Sequence, residues 1–338
     1  MDTKAFLNYL TAQVSYHGQI AHIEHIPTHP PSYAELDKPL ISNLQNRLEE
    51  RGLLPLYTHQ ATAVNHARAG RNVMVSTSSA SGKTLCYNIP VLETVLTEKY
   101  SRALYLFPTK ALAQDQLRNL QDMSYPTLLK SDELATFDGD TPQAERAEIR
   151  KRARIILTNP DMLHLGILPN HQSWSRFLRH LRYVVIDEAH AYRGVFGSHV
   201  AGVLRRLRRL CRFYGSNPQF IGCSATVANP GEHAESLVGL PFTVVDRDSS
   251  PQGAKDFVLW NPPLIDAAKS TRRSANSEAA DLFTELVSQG VRSLTFARSR
   301  RLTELIYVYA RKRLTQASAD HSQRIKPYRA GYLPQDRR

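Results

Sequence analysis

The stretch Val73-Met74-Val75-Ser76-Thr77-Ser78-Ser79-Ala80-Ser81-Gly82-Lys83-Thr84 decides how this chain is read. It opens as a short apolar strand, passes through a run of small residues, and enters an amphipathic stretch, Leu85 to Leu96, with helical spacing. Strand, small-residue loop and helix together form what a phosphate needs, because backbone N–H groups and a helix N-terminus then face the anion. Ser79, Ala80, Ser81, Gly82, Lys83, Thr84 and Leu85 are the expected nucleotide-binding residues. Lys83 would reach the β- and γ-phosphates, and the Thr84 hydroxyl would hold Mg²⁺. The strict pattern G-x-x-x-x-G-K-[ST] is not met, since Thr77 stands at the first glycine position. Small side chains throughout still let the backbone curl round a phosphate. Taken alone, the stretch also reads as a Ser-rich turn before an ordinary helix.

Outward from this turn, short β-branched or aromatic runs alternate with helical patterns. Strands are expected at Ala103–Phe107, Ile155–Thr158, Tyr183–Ile186, Phe220–Cys223 and Thr243–Val245, with a helix at Ala111–Leu120. Such alternation implies an α/β fold, a parallel sheet with helices on both faces. The His- and Pro-rich run His22 to Pro31 reads as an irregular lead-in, and its histidines, with His17, as loop residues rather than a metal site. Residues 1–45 are expected to form an N-terminal extension and 46–246 the nucleotide-binding domain. Residues 247–275 read as a connector holding one strand-like run, Phe257–Trp260. Residues 276–338 would begin a second α/β unit with a helix at Ser277–Gln289 and a strand at Ser293–Phe296.

Tyr183-Val184-Val185-Ile186-Asp187-Glu188-Ala189-His190 is an apolar strand ending in two carboxylates. A buried parallel strand delivers charged groups at its C-terminal edge, where ligands bind in open α/β sheets. Asp187 would hold Mg²⁺ and Glu188 would orient the attacking water, with His190 relaying between the nucleotide and the neighbouring domain. The same residues also suit a helix N-cap with first-turn charges. A gain in likelihood for the nucleotide reading comes from the Gly-Lys-Thr upstream.

The chain carries 43 Lys and Arg against 31 Asp and Glu, a net charge of +12. Such a surplus favours polyanions through counterion release, and also serves plain solubility. Hydrophobic residues make up 42% and charged residues 22%, so an ordinary globular chain is expected. No apolar run approaches the roughly 20 residues of a membrane span, so no membrane partner is expected. Residues 1–19 lack an export signal. Cys86, Cys211 and Cys223 are scattered and form no CxxC pair, which argues against a disulfide framework or a zinc site. An intracellular, cytoplasmic place is the default, nucleoid-associated in a bacterium.

Asp187-Glu188-Ala189-His190 spells DEAH, and with Ser81-Gly82-Lys83-Thr84 before it and Ser224-Ala225-Thr226 after it the order resembles superfamily 2 helicases of the DEAD/DEAH-box kind. Tyr57-Thr58-His59-Gln60 is similar to the adenine-reading Q motif, which makes Tyr57 and Gln60 nucleotide-binding candidates. Pro108-Thr109-Lys110-Ala111-Leu112 and Thr158-Asn159-Pro160-Asp161 resemble the two strand-contacting motifs, and Phe137-Asp138-Gly139-Asp140-Thr141 a shared element between them. The run Ala191 to Val200, with Val258-Leu259-Trp260-Asn261-Pro262-Pro263, resembles the RecQ-like DNA-repair helicases that carry a C-terminal four-cysteine zinc domain.

The resemblance implies a RecA-like P-loop domain, the start of a second RecA-like domain, ATP and Mg²⁺ as cofactors, and 3′-to-5′ movement on single-stranded or partly duplex DNA. RNA stays open, since these motifs grip backbone. A module that binds ATP and single strands with little turnover also stays open, and a metabolic P-loop kinase ranks below both. The resemblance further implies that Thr109, Lys110, Thr158 and Asn159 hold phosphates, although Thr and Asn also cap helices well. Ser224 and Thr226 would couple the two sites. Ser293 to Ser299 looks like the opening of the second motor domain, and Arg329 to Pro334 resembles an element just before that domain's arginine motifs. Those motifs and the zinc-binding cysteines have no counterpart, so a fragment or truncated product is expected. The basic helix around Leu204 to Arg212 would bury its leucines and show its arginines to solvent.

Overall fold

The computed structural model describes residues 3–125, 127–266, 270–317 and 319–329. Eleven strands follow in chain order: β1 (Ile20–Ile26), β2 (Val73–Ser76), β3 (Arg102–Leu106), β4 (Leu134–Thr136), β5 (Ile155–Thr158), β6 (Leu181–Ile186), β7 (Gln219–Ser224), β8 (Thr243–Val245), β9 (Lys255–Trp260), β10 (Leu264–Asp266) and β11 (Thr271–Arg272). The chain divides into two compact units, residues 29–252 and residues 1–28 with 253–338.

The larger unit is built on one seven-stranded sheet, ordered β4-β5-β3-β6-β7-β2-β8, in which every neighbouring pair is parallel. Strand residues alternate between two cores. Val73, Val75, Ala103, Tyr105, Ile155, Leu157 and Val185 join a core with the helices Thr58–Arg68, Lys83–Thr97 and Lys110–Ser124. Met74, Leu104, Leu106, Ile156, Val184 and Ile186 join the opposite core with the helices Gly194–Phe213 and Pro230–Val238. Burial on both faces is why these strands read as unbroken apolar runs instead of alternating ones. The α/β architecture with two covered faces agrees with the sequence expectation.

In Gly194–Phe213, Leu204, Leu207 and Cys211 are buried, while Arg208 donates to the carbonyls of Val238 at 2.8 Å and Gly239 at 3.0 Å. Those carbonyls end the helix Pro230–Val238, where a cation is favoured. β4 was not anticipated; three residues, Leu-Ala-Thr, carry too little pattern to be read as a strand.

In the smaller unit, β1 pairs antiparallel with β9. This corrects the reading of His22–Ile26 as irregular: the run is a strand, and His22 and His25 sit on it. Its partner lies some 230 residues along the chain, and His25 Nδ1 reaches Asp256 Oδ1 at 2.7 Å. The helix expected at Ser277–Gln289 is Ala275–Ser288, and Trp260 Nε1 donates to its buried Glu278 at 2.8 Å. Ser293–Phe296 is not a strand. No described strand pairs with it, and Leu294 and Phe296 are 78% and 87% exposed, so its backbone has no ladder to join. Residues 330–334, matched above to a second-domain element, lie outside the described residues. Among the described residues no helix is long and apolar enough to cross a membrane.

Leu204 is fully buried and ties the helix Gly194–Phe213 to the sheet. Leu204→Ala should cost about 2–5 kcal/mol in urea denaturation; a loss below about 1 kcal/mol would mean that this helix does not seal the face.

Candidate nucleotide and nucleic-acid site

Parallel strands place all their carboxyl ends along one edge, and the candidate residues lie there. β2 runs into the loop Thr77–Gly82, and the helix Lys83–Thr97 begins at once. Ala80 and Gly82 both take left-handed backbone, φ 63° and 80°. At Gly82 a side chain would also collide, since a Cβ there would stand 2.4 Å from Gln60 Nε2. Gln60 ties the loop to the preceding helix: its Nε2 donates to Gly82 O at 3.0 Å and its Oε1 accepts from Tyr57 N at 2.9 Å. His59 Nε2 meets Ser81 O at 3.0 Å. Inside the loop the Ser81 and Thr77 hydroxyls bond at 2.7 Å, whereas Ser79 and Ala80 are exposed on its outer curve. Lys83 Nζ donates to the carbonyls of Thr77 at 3.1 Å and Ser78 at 2.6 Å, so the ammonium already sits over the loop's hollow.

A groove of about 820 Å³ opens beside the loop, lined in part by Tyr33, Tyr57, Gln60, Gly82, Thr84 and Asn88. The Tyr33 and Tyr57 rings stack at 5.5 Å and 21°. Aromatic faces with an adjacent amide suit a purine.

β6 delivers Asp187 and Glu188 to the same edge, one strand removed from β2 with β7 between. Asp187 is 8% exposed; Tyr87, one turn after Lys83 on the loop's own helix, donates to its Oδ2 at 3.0 Å, and the Glu188 N–H to its Oδ1 at 2.8 Å. Burial pushes the Asp187 carboxyl up, only partly opposed by those hydrogen bonds and by Lys83. A carboxylate so held gains from a cation. Glu188 adopts left-handed backbone, φ 50°, a strained conformation for a residue with a side chain. His190 Nδ1 lies 3.2 Å from Glu188 Oε2, 3.3 Å from Ala225 N and 3.4 Å from Ser224 Oγ. With Nδ1 bare it accepts from the Ala225 N–H; with Nδ1 protonated it donates to Glu188. Ser224 is buried and Thr226 exposed. Ser76, at the end of β2, donates to Ala225 O at 3.2 Å, which fastens that turn to the phosphate loop's strand.

The remaining candidates end the strands at the other side of the sheet, β3 and β5. The Thr109 hydroxyl accepts from Leu112 N at 3.3 Å and Asn159 Oδ1 from Met162 N at 2.8 Å, so both cap helices. Capping uses an acceptor, leaving the Thr109 hydroxyl proton and the Asn159 amide N–H groups to donate elsewhere. Lys110 is exposed and pairs with Asp140 at 2.9 Å, which raises its ammonium above the usual range. Thr158 is fully buried and donates to Phe137 O at 2.5 Å, so its hydroxyl is committed inside the protein.

Residue patterns gave no sign of four participants. Tyr33 and Asp248 lie far from the motifs in sequence. His59 adjoins Gln60 in the quoted Tyr57–Gln60 stretch and Tyr87 stands one helical turn after Lys83, and only those positions beside candidates could have flagged them. Asp248 accepts from both the N–H, at 3.1 Å, and the hydroxyl of Ser78, and from Ser250 N at 2.9 Å. Although burial acts to raise its carboxyl, the hydrogen bonds from Ser78 and Ser250 prevail and hold it at about 2.

A phosphate loop on the edge of a parallel sheet, with a buried carboxylate from the next strand but one, defines a P-loop nucleotide-binding protein. Residues 57–233 match the DEAD/DEAH box helicase family, and the chain belongs to that family. It is similar to the uncharacterised ATP-dependent helicase YprA of Bacillus subtilis, 47% identical over 86% of this chain and 38% of that protein. It is also similar to the ATP-dependent helicase hrq1 of Schizosaccharomyces pombe, 42% identical over 100% of this chain and 33% of that protein. Among solved structures, the DUF1998 helicase MrfA bound to DNA and AMPPNP superimposes with a TM-score of 0.90 at 41% identity, over 100% of this chain and 46% of that one. The chain thus spans roughly a third to a half of the length of these relatives.

Gly82→Ala should lose the Gln60 contact and strain the loop by about 1–2 kcal/mol, read as lower thermal stability and weaker binding of a fluorescent adenine nucleotide. A variant with wild-type stability and affinity would show that the left-handed residue and its close approach do not shape the site.

Proposed function

We propose that the chain is the ATP-binding motor part of a DNA helicase or translocase, which couples ATP hydrolysis to movement along a single strand. The observation carrying this reading is the shared sheet edge: Lys83 and Thr84 stand with Asp187 and Glu188 at β2 and β6, and Thr109, Lys110 and Asn159 stand at β3 and β5. Lys83 exchanges the Thr77 and Ser78 carbonyls for the β- and γ-phosphates, and Tyr57 and Gln60 hold the adenine. Glu188 orients the attacking water, and His190 passes the state of that site to Ser224 and Thr226. Thr109, Lys110 and Asn159 donate to strand phosphates, while Thr158 acts by anchoring the turn that presents Asn159.

Mg²⁺ fits the oxygens present. Asp187 is a buried carboxylate linked through Tyr87 to the first turn of the loop's helix, and Thr84 supplies a hydroxyl there. Magnesium takes one or two protein oxygens plus substrate phosphates and needs no larger cluster. When bound it neutralises charge on the phosphate oxygens.

In the same reading, residues 1–45 are an extension, 46–246 the first RecA-like domain, 247–275 a connector and 276–338 the opening of a second. The finer likeness, to RecQ-like DNA-repair helicases with a four-cysteine zinc domain, an intracellular place and a role in repair belong to it as well. The DNA in the MrfA structure favours DNA over RNA.

Nucleotide binding, ATP turnover and competition between labelled DNA and RNA strands test the proposal. Lys83→Ala should abolish nucleotide binding. Glu188→Gln should leave affinity within a few-fold of wild type and lower turnover at least about 100-fold. Unchanged affinity in the first variant, or unchanged turnover in the second, removes the corresponding role; a clear preference for RNA removes the DNA reading.

A further inference from the structure

Directly after Asn159 the chain turns through the short helix Pro160–Met162 into Leu163–Ile167. The helix Gly194–Phe213 runs opposite, and between them lies a groove of about 470 Å³. Pro160, Phe196 and Val203 form apolar wall, and His164, His199 and Arg206 bring cations or potential cations. Phe196, His199, Val203 and Arg206 follow the three- and four-residue spacing that puts them on one stripe of the helix. Phe196 and His199 fall within the Ala191–Val200 run and Arg206 within the basic helix, but none of these four residues has a part in the nucleotide or strand sites described so far.

Three features distinguish this groove from an ordinary packing defect. First, its aromatic is on offer: Phe196 is 42% exposed, and the neighbouring apolar side chains Val195 and Leu165 are 77% and 70% exposed. Second, that ring is braced, since it lies 5.8 Å from the buried Tyr192 ring, and Gly197 packs so tightly that a Cβ would stand 2.3 Å from Tyr192 O. The turn cannot drift without breaking that contact. Third, the His164, His199 and Arg206 side chains make no hydrogen bond or ion pair among the described residues. Asp161 is the one acid in the lining.

An apolar wall with a braced aromatic and an unneutralised basic rim matches a ligand that is itself flat and apolar at one end and anionic at the other. A nucleotide has that form: the base stacks and the phosphate meets the cations. An apolar protein segment would leave three basic groups without partners. The groove begins at the residue after Asn159, so it adjoins the place where the reading above puts strand phosphates.

We propose that this groove is a subsite for one unstacked nucleotide of the bound single strand, its base against Phe196 and its phosphate near Arg206 and His199. The proposal rests on the nucleic-acid reading given above, and its test separates the two. Binding of a fluorescent single-stranded DNA is measured across a salt series with the wild type, Phe196→Ala, Phe196→Tyr and Arg206→Gln. A fluorescent adenine nucleotide, whose affinity should not change, and a urea melt serve as controls in each case. A strand scanned with a single abasic position is titrated against the wild type.

Phe196→Ala should weaken DNA binding about tenfold with an unchanged salt slope, because a base contact releases no counterions; Phe196→Tyr should restore most of it. Arg206→Gln should lower the salt slope by about one. One abasic position should weaken wild-type binding more than its neighbours do. Wild-type affinity in Phe196→Ala, or an abasic scan without a preferred position, overturns the subsite while leaving the motor reading intact. Failure of the wild type to bind single-stranded DNA overturns both. The abasic scan needs no variant, so a folding defect in Phe196→Ala does not shield the proposal.

Discussion

A buried carboxylate facing a lysine across one sheet edge is the constraint on which the rest of this protein depends. Asp187 has been taken almost wholly out of water, where its charge is costly. The fold partly offsets that cost with one hydroxyl, one N–H and the field of Lys83, each from a defined place: the loop's own helix, the next residue, and the helix start that follows β2, beyond the intervening β7. The offset is incomplete, and the shortfall is what a metal and a triphosphate are suited to fill.

The same edge explains the division of labour along the sheet. At one side, β6, β7 and β2 carry the carboxylates, the Ser224–Thr226 turn and the phosphate loop. At the other, β3 and β5 carry the candidate strand-gripping residues. The tie between the halves is short, because β3 and β6 are neighbours and Asp187 N donates to Leu106 O at 3.0 Å. His190 faces both Glu188 and Ala225, so its ring joins the strand-end carboxylate to the turn at Ser224–Thr226. Asp248 extends the network by tethering Ser78 to the stretch that leaves β8. A phosphate loop held from outside by one carboxylate and filled from inside by its own lysine is prepared to exchange partners rather than to form from a disordered loop.

Thr158 and Lys110, candidates from the two motifs at the ends of β5 and β3, have different physical fates. The Thr158 hydroxyl is spent on a carbonyl in the core, whereas Lys110 is in solvent with a single exposed acidic partner. An exposed pair of that kind is weak and readily exchanged for a phosphate. Arginines of the basic helix separate in the same manner. Arg208 caps a neighbouring helix, and Arg206 makes no hydrogen bond or ion pair among the described residues, a distinction that the repeating Leu-Arg-Arg pattern hides.

Sequence alone determined the α/β class, the positions of six of the seven parallel strands of the large sheet and the order of the nucleotide motifs. Each of these follows from local patterns: apolar runs of strand length, a small-residue turn before a helix, carboxylates at a strand end. It misread His22–Ile26 and Ser293–Phe296 because a strand exists only with a partner. The first has one in β9 far along the chain, and the second has none among the described residues. Tyr33, His59, Tyr87 and Asp248 were likewise decided by tertiary structure, as their contacts depend on which strands lie side by side. Hydrogen bonds and burial act over a few ångströms in space, and no spacing along the chain encodes them until the sheet order is set.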